Sequence, residues 1–306
     1  MPSGIRGIRA GGDKESIPLI WDPIPSVESG DGGEEGLSVW EAAAPQVSYP
    51  RPRNWRKLEF KNWTQLVAQG HGIENFEDDD ISNAWIREFS GIPHRKLVTA
   101  LQLRASVYPT REFLARGRHE AVVRSCRHCG ADSETVAHNV GNCPITQDAR
   151  IKRHNAICDM LSQEAKKEDW TVFHEPHLRD DNNELFKQDV IMVKGLKAYV
   201  VDVTVRYEHN TSSLRAAAAE KAKKYQRLHS QIKELTNVVD IVCIGFPMGV
   251  RGKWYNKNSE FLLALGLPKS RLGRIARALT FRVLVASVEI VHIFVNKARS
   301  IVRSGI

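Results

Sequence analysis

An α+β fold is predicted by three features of the sequence. Apolar residues recur at helical spacing between Trp55 and Arg116. A cysteine- and histidine-rich stretch, CRHCGADSETVAHNVGNC, follows. Beyond residue 147, three short apolar runs, a long helical stripe and a further apolar run give the order β-β-β-α-β.

The chain has 306 residues, enough for two domains and a tail, and a net charge of +8. A basic balance favours a polyanionic partner. Five cysteines, three of them clustered, argue against a secreted disulfide scaffold and for a reducing compartment. The start, MPSGIRGIRAGGDKES, lacks the apolar core of a signal peptide. Leu279–Val295 is apolar but carries Arg282, Glu289 and His292, so a buried helix is expected there and no membrane partner. Residues 1–52, rich in Gly, Pro, Ser, Asp and Glu, show no period and read as a disordered leader.

Residues 53–122 read as a helical linker. Phe60, Trp63, Leu66 and Val67 share a face of a helix over Leu58–Gly70. Asp78, Asp79 and Asp80 precede Ile81–Phe89 as an N-terminal charge cap. Leu97, Leu101 and Ala105 mark the next helix, with a break at Pro109 and a new start at Thr110. Arg104, Arg111, Arg116 and Arg118 make this stretch basic enough to track a phosphate backbone, although a solvated face explains them equally.

Residues 123–146 hold the sharpest local signal. Cys126, Cys129, His138 and Cys143 have the spacing C-x2-C-x8-H-x4-C. A CxxC turn presents two thiolates to one ion, and the His/Cys pair completes a tetrahedron, which predicts a structural Zn²⁺. Such a closed set leaves no position for a catalytic water. His128 is a competing ligand inside the turn. Cys158 and Cys243, in apolar surroundings, read as core thiols.

Residues 147–306 supply the mixed α/β part. A helix over Asp148–Lys166 should bury Ile151, Ile157, Met160 and Leu161. A strand at Trp170–His174 and a polar hairpin loop, EPHLRDDNNE, lead to two apolar strands, Asp189–Val193 and Tyr199–Arg206, joined at Lys194-Gly195. Each contains one aspartate, Asp189 and Asp202, and two carboxylates on paired strands can meet. The next helix has the stripe Leu214, Ala218, Lys221, Tyr225, Leu228, Ile232, Leu235. A lysine on a core-facing stripe needs a partner, and those aspartates are on offer. Carboxylates holding a divalent cation beside a lysine form a phosphodiesterase site. Val238–Gly245 is the last strand. In the loop after it, Lys253, Trp254 and Tyr255 suit either DNA contact or anchoring to the core. A final helix from Ser270 carries Arg271, Arg274 and Arg277, a candidate phosphate rail.

The order QD, VVDVTVRYE, EKAKKY resembles the restriction-like endonuclease domain of site-specific non-LTR retrotransposon polyproteins, a branch of the PD-(D/E)XK nucleases. LQLRASVYPTREFLARGR resembles their linker after the thumb, and the CCHC spacing matches their knuckle. The resemblance starts near residue 55 and covers most of residues 90–300. It implies a restriction-endonuclease-like core with a mixed sheet, Asp189 and Asp202 as ligands of Mg²⁺ or Mn²⁺, and Lys221 as the catalytic lysine moved from strand to helix. Thr204, standing where the common pattern has its lysine, fits that migration. Glu208 and Lys224 match accessory positions. Gln188 departs from the pattern, which has proline there.

In that family the domain nicks target DNA, and the freed 3′-hydroxyl primes reverse transcription of the element RNA. The implied partners are target DNA and, second, element RNA, in the nucleus. No YxDD-type palm motif occurs in the sequence, so a chain lacking the polymerase is expected. The alternative expectation is a nucleic-acid-binding remnant that does not cleave. A third, a zinc-stabilised interaction protein without nucleic acid, sits poorly with the charge.

Overall fold

The computed structural model describes residues 53–304 apart from 68, 88–91 and 119–121, so the expected leader lies outside the described residues. Lys197–Arg206 (β5) occupies the middle of a four-stranded sheet, as its two apolar faces require. On one side it pairs antiparallel with Val190–Lys194 (β4), joined by a turn in which Gly195 has φ +58°. Beyond β4 lies Thr171–His174 (β1), also antiparallel. On its other side β5 runs parallel to Asp240–Gly249 (β6) over its full length. The sheet order is β1-β4-β5-β6, a mixed sheet, and the fold is α+β. The EPHLRDDNNE stretch carries a small separate hairpin of its own, His177–Arg179 (β2) paired with Leu185–Lys187 (β3).

Helices cover both faces. The first helical elements are Trp55–Thr64 (α1), Asp80–Arg87 (α2), His94–Arg104 (α3), Arg111–Leu114 (α4) and Val136–Gly141 (α5). α1 starts at Trp55, where the helical pattern begins, but ends at Thr64, short of Gly70, and buries none of its residues, leaving Leu66 and Val67 exposed beyond it. Asp79 caps α2 by accepting hydrogen bonds from the Ser82 N–H (2.9 Å) and hydroxyl (2.5 Å). The preceding helix, α3, ends at Arg104, where Ser106 turns the chain with φ +56°, so the break comes before Pro109; Thr110 then caps α4 by accepting from the Phe113 N–H.

Gln147–Lys167 (α6) packs on one sheet face with Asn256–Ala264 (α9) and Lys269–Ser304 (α10). Ile157, Leu161, Met192, Tyr199, Val201, Phe246, Phe261 and Leu279 interlock there, and each apolar side chain so buried contributes about 1.5–3 kcal/mol. Ile151 belongs to this helix but is exposed, so the expected buried face is made by Ile157, Cys158, Leu161 and Ala165 instead. The opposite face carries Ile191, Ala198 and Val200 against Tyr225, Leu228 and Ile232.

The long stripe after β5 is two helices, Ser213–Lys224 (α7) and His229–Thr236 (α8). At Tyr225, with φ −101° and ψ 2°, the chain leaves the α conformation and makes a single 3₁₀ turn. The Tyr225 ring is buried against Phe186 and its hydroxyl donates to the Lys187 carbonyl at 3.1 Å. That anchor bends the stripe so that Leu228 and Ile232 reach the sheet while Leu235 stays outside.

α10 is long and apolar enough to cross a membrane by length and composition. Its contacts make it a core helix: Leu279, Val283, Leu284, Val288, Val291 and Phe294 are all buried. They pack against α2, α3, α5, α6 and α9, gathering the described residues into one unit.

Candidate metal centres and active site

The cysteine-rich stretch closes on itself as its spacing predicts. Cys126 N–H donates to the Ala131 carbonyl, and the Gly130 N–H to the Cys126 carbonyl, which tightens the CxxC turn around Gly130 at φ +69°. Thr135 caps α5 by accepting from the His138 N–H, aiming the imidazole back at the turn. The ligand atoms of Cys126, Cys129, His138 and Cys143 lie within 4.8 Å of one another. Cys126 and Cys143 sulfurs are 3.8 Å apart, Cys129 and Cys143 4.0 Å, and Cys129 Sγ to His138 Nε2 3.3 Å. Ligands at zinc distances around a tetrahedron stand about 3.6–3.8 Å apart, so this three-sulfur, one-nitrogen set can hold Zn²⁺. His128 does not compete: its Nε2 bonds the Phe294 carbonyl at 2.8 Å and its ring packs on Phe294.

The carboxylate pair is assembled at the end of β4. The β4–β5 register pairs Val190 with Val201, and Asp189 directly precedes β4 as Asp202 directly follows Val201. β4 ends there while β5 continues, and Asp189 Oδ2 accepts from the free Val203 N–H at 2.7 Å. Lys221 on α7 meets Asp202 Oδ1 at 2.9 Å and Oδ2 at 3.3 Å. Asp202 is nearly buried and the Lys221 side chain is 19% exposed, so the ammonium is this carboxylate's counter-charge. Thr204, on the same strand, accepts instead from Arg206 at 3.1 Å. Burial, then Asp202, then Asp189 push the Tyr225 phenol well above its ordinary range, so both carboxylates act on one group. Lys224 joins this cluster at one remove, donating to the Tyr225 hydroxyl at 3.1 Å.

Two members of the cluster come from α6. His154 Nε2 lies 3.1 Å from Asp189 Oδ1 and 3.5 Å from Cys158 Sγ. Burial, with Asp189 next, pushes the Cys158 thiol strongly up. The i, i+4 spacing of His154 and Cys158 on one helix face is the signal that could have found them.

Other expected site residues lie elsewhere. Glu208 is fully buried, paired with the equally buried Arg251 at 3.1 Å and accepting from the Arg251 N–H at 3.0 Å. It therefore cannot touch a substrate in this arrangement. Arg104 is no phosphate contact either. It is buried, donates to Asn83, Ser82 and Arg251, and stacks 3.7 Å over Phe76. Burial depresses its guanidinium to about 9. Arg111 donates to the Ser125 carbonyl at 3.0 Å and is half-buried, whereas Arg116 and Arg118 are exposed. Lys253 pairs with Asp79, and Trp254 is a core residue, so anchoring explains that cluster. Arg271 pairs with Glu164 and Glu168, which removes it from a phosphate rail.

No family model matches the chain. Among curated proteins it is 30% identical over 210 residues to a retrovirus-related Pol polyprotein from the type-1 retrotransposable element R2 of Popillia japonica, covering 66% of the chain and 29% of that protein. A second such polyprotein from the same organism is 27% identical over 234 residues, 74% of the chain and 47% of its own length. One from Nasonia vitripennis is 24% identical over 241 residues, 76% of the chain and 23% of its own length. The chain is a homologue of R2-type non-LTR retrotransposon Pol polyproteins. It spans less than half the length of these relatives.

Proposed function

We propose that the chain carries the restriction-like, PD-(D/E)XK endonuclease part of an R2-type polyprotein, with the linker and zinc knuckle that precede it. Target DNA is the substrate, and Mg²⁺ or Mn²⁺ the metal. The observation that supports this most is the Lys221–Asp202 ion pair at 2.9 Å, beside an Asp189 carboxylate held by the N–H of Val203, the residue after Asp202.

Two carboxylates offer the oxygen donors that Mg²⁺ and Mn²⁺ prefer, so Asp189 and Asp202 would hold the cation. Bound there, it supplies Lewis acidity, activating a water and neutralising phosphate charge. The Val203 N–H orients Asp189. Lys221 leaves Asp202 for the scissile phosphate and stabilises the negative charge that develops on its oxygens. Tyr225, kept protonated by burial and by both carboxylates, is a hydrogen-bond donor at the edge of the cluster. Arg116 and Arg118 are left as exposed cations for the DNA backbone.

The test is nicking of supercoiled plasmid in Mg²⁺ and in Mn²⁺ by the wild type and by Asp202→Asn. Cleavage by the wild type alone is expected. If both proteins bind DNA and neither cuts, the chain is a nucleic-acid-binding remnant.

A further inference from the structure

We propose that His154, Cys158 and Asp189 form a second soft-metal site, which takes Zn²⁺ or Co²⁺ and shares Asp189 with the carboxylate pair. The three ligand atoms lie within 4.8 Å of one another. A tetrahedral ion with one nitrogen, one sulfur and one carboxylate oxygen sets N–O and S–N edges of roughly 3.3 and 3.6 Å. The distances here are 3.1 Å from His154 Nε2 to Asp189 Oδ1 and 3.5 Å from Cys158 Sγ to His154 Nε2.

Three features favour a metal over a simple His–Asp hydrogen bond. His154 and Cys158 are four residues apart on α6, so the helix holds both on one face without any loop to order. Lys221 neutralises Asp202, but among the described residues the one ion-pair partner of Asp189 is His154 itself. A cation here would therefore meet an anionic oxygen whose charge no lysine or arginine cancels. Finally, the imidazole is 30% exposed on its side chain, which leaves an entry path and a fourth position for water.

The ligand set also decides which metal enters. Imidazole and thiolate select zinc or cobalt, whereas Mg²⁺ demands oxygen. Binding displaces the thiol proton of Cys158 to solvent and moves no electrons. Because the Val203 N–H holds Asp189 Oδ2, Oδ1 is the oxygen left for a metal, and the soft ion at His154 and Cys158 and the hard ion at Asp202 compete for it. Zinc is then an inhibitor of whatever the carboxylate pair does. That last clause rests on the nuclease reading; the binding itself does not.

Zinc content of the purified full chain, saturated with Zn²⁺ and freed of loose metal, tests the site. The wild type is expected to hold two equivalents, and Cys158→Ser and His154→Asn one each. With Co²⁺, one of the four thiolates is Cys158, so Cys158→Ser should lose about a quarter of the sulfur-to-cobalt charge-transfer band. A wild type with a single equivalent overturns the proposal. So does a second equivalent kept by both variants. Should Cys158→Ser fail to fold, His154→Asn decides alone, since its side chain is partly outside the core. In the nicking assay, zinc should raise the Mg²⁺ requirement of the wild type and not that of His154→Asn. Zinc-insensitive nicking overturns the competition, while two equivalents without any nicking overturn only the nuclease reading.

Discussion

Gly245 and Asp202 are register partners on β6 and β5. A Cβ at position 245 would lie 2.2 Å from the Ala218 carbonyl oxygen and 2.8 Å from its Cα. Ala218 is one helical turn before Lys221 on α7. The missing side chain thus lets the helix lie directly on the strand, close enough for Lys221 to reach Asp202.

Gly245→Ala is therefore expected to push α7 outward. Overpacking against backbone should cost about 3 kcal/mol, at the upper end of such substitutions, and any nicking activity should fall with it. Chemical denaturation reads the first and the plasmid assay the second. Unchanged stability would show that α7 shifts freely.

Lys221→Ala leaves Asp202 nearly buried without its counter-charge. A loss of roughly 3 kcal/mol is expected in metal-free buffer. Excess Mg²⁺ should recover part of it, because a cation bound only by the folded state stabilises that state. Thermal melts with and without Mg²⁺ check this. Equal melts in both buffers would count against cation binding at the carboxylates.

Glu208→Ala should destabilise by about 3–5 kcal/mol, since Arg251 would stay buried with no carboxylate. A denaturant midpoint within error of the wild type would return Glu208 to the list of site candidates.

Asp79 links stability to pH. Burial raises its carboxyl, but hydrogen bonds from Lys253 and Ser82 outweigh it and hold the group below its ordinary 3.8. A depressed folded-state value contributes stability above pH 3.8 and loses it as the pH falls through the lower folded value. Asp79→Asn should remove that part of the acid slope and lower stability near neutrality. A variant with the wild-type acid slope would assign the slope to other carboxylates.

Local patterns made much of the fold legible. Alternation in β5, the Gly195 turn and the CxxC spacing are short-range signals, and each led to the right element. The stripe-facing position of Lys221 found the Asp202 pair because a strand and the next helix are close in sequence as well as in space. Residues whose partners are remote were misread. Arg104 and Glu208 look like free charges until Arg251, 147 and 43 residues away, is placed beside them. The bend at Tyr225 depends on the Lys187 carbonyl, 38 residues back. The i, i+4 spacing puts His154 and Cys158 on one face of α6, but their meeting with Asp189 depends on the end of β4, remote in sequence.

α10 has a mechanical consequence. Its 36 residues make a rod of about 54 Å. Leu279 and Val283 rest on the sheet core, and Phe294 lies under Cys126 and Cys143. One continuous helix therefore sets the rotational phase between the knuckle and the sheet. Inserting a single residue between Leu284 and Phe294 would turn Phe294 by about 100° and advance it by about 1.5 Å, out of step with its seat. Seven inserted residues would nearly restore the angle but lengthen the rod by about 10 Å. Changes in the separation of the two centres can therefore come only in whole turns of this helix.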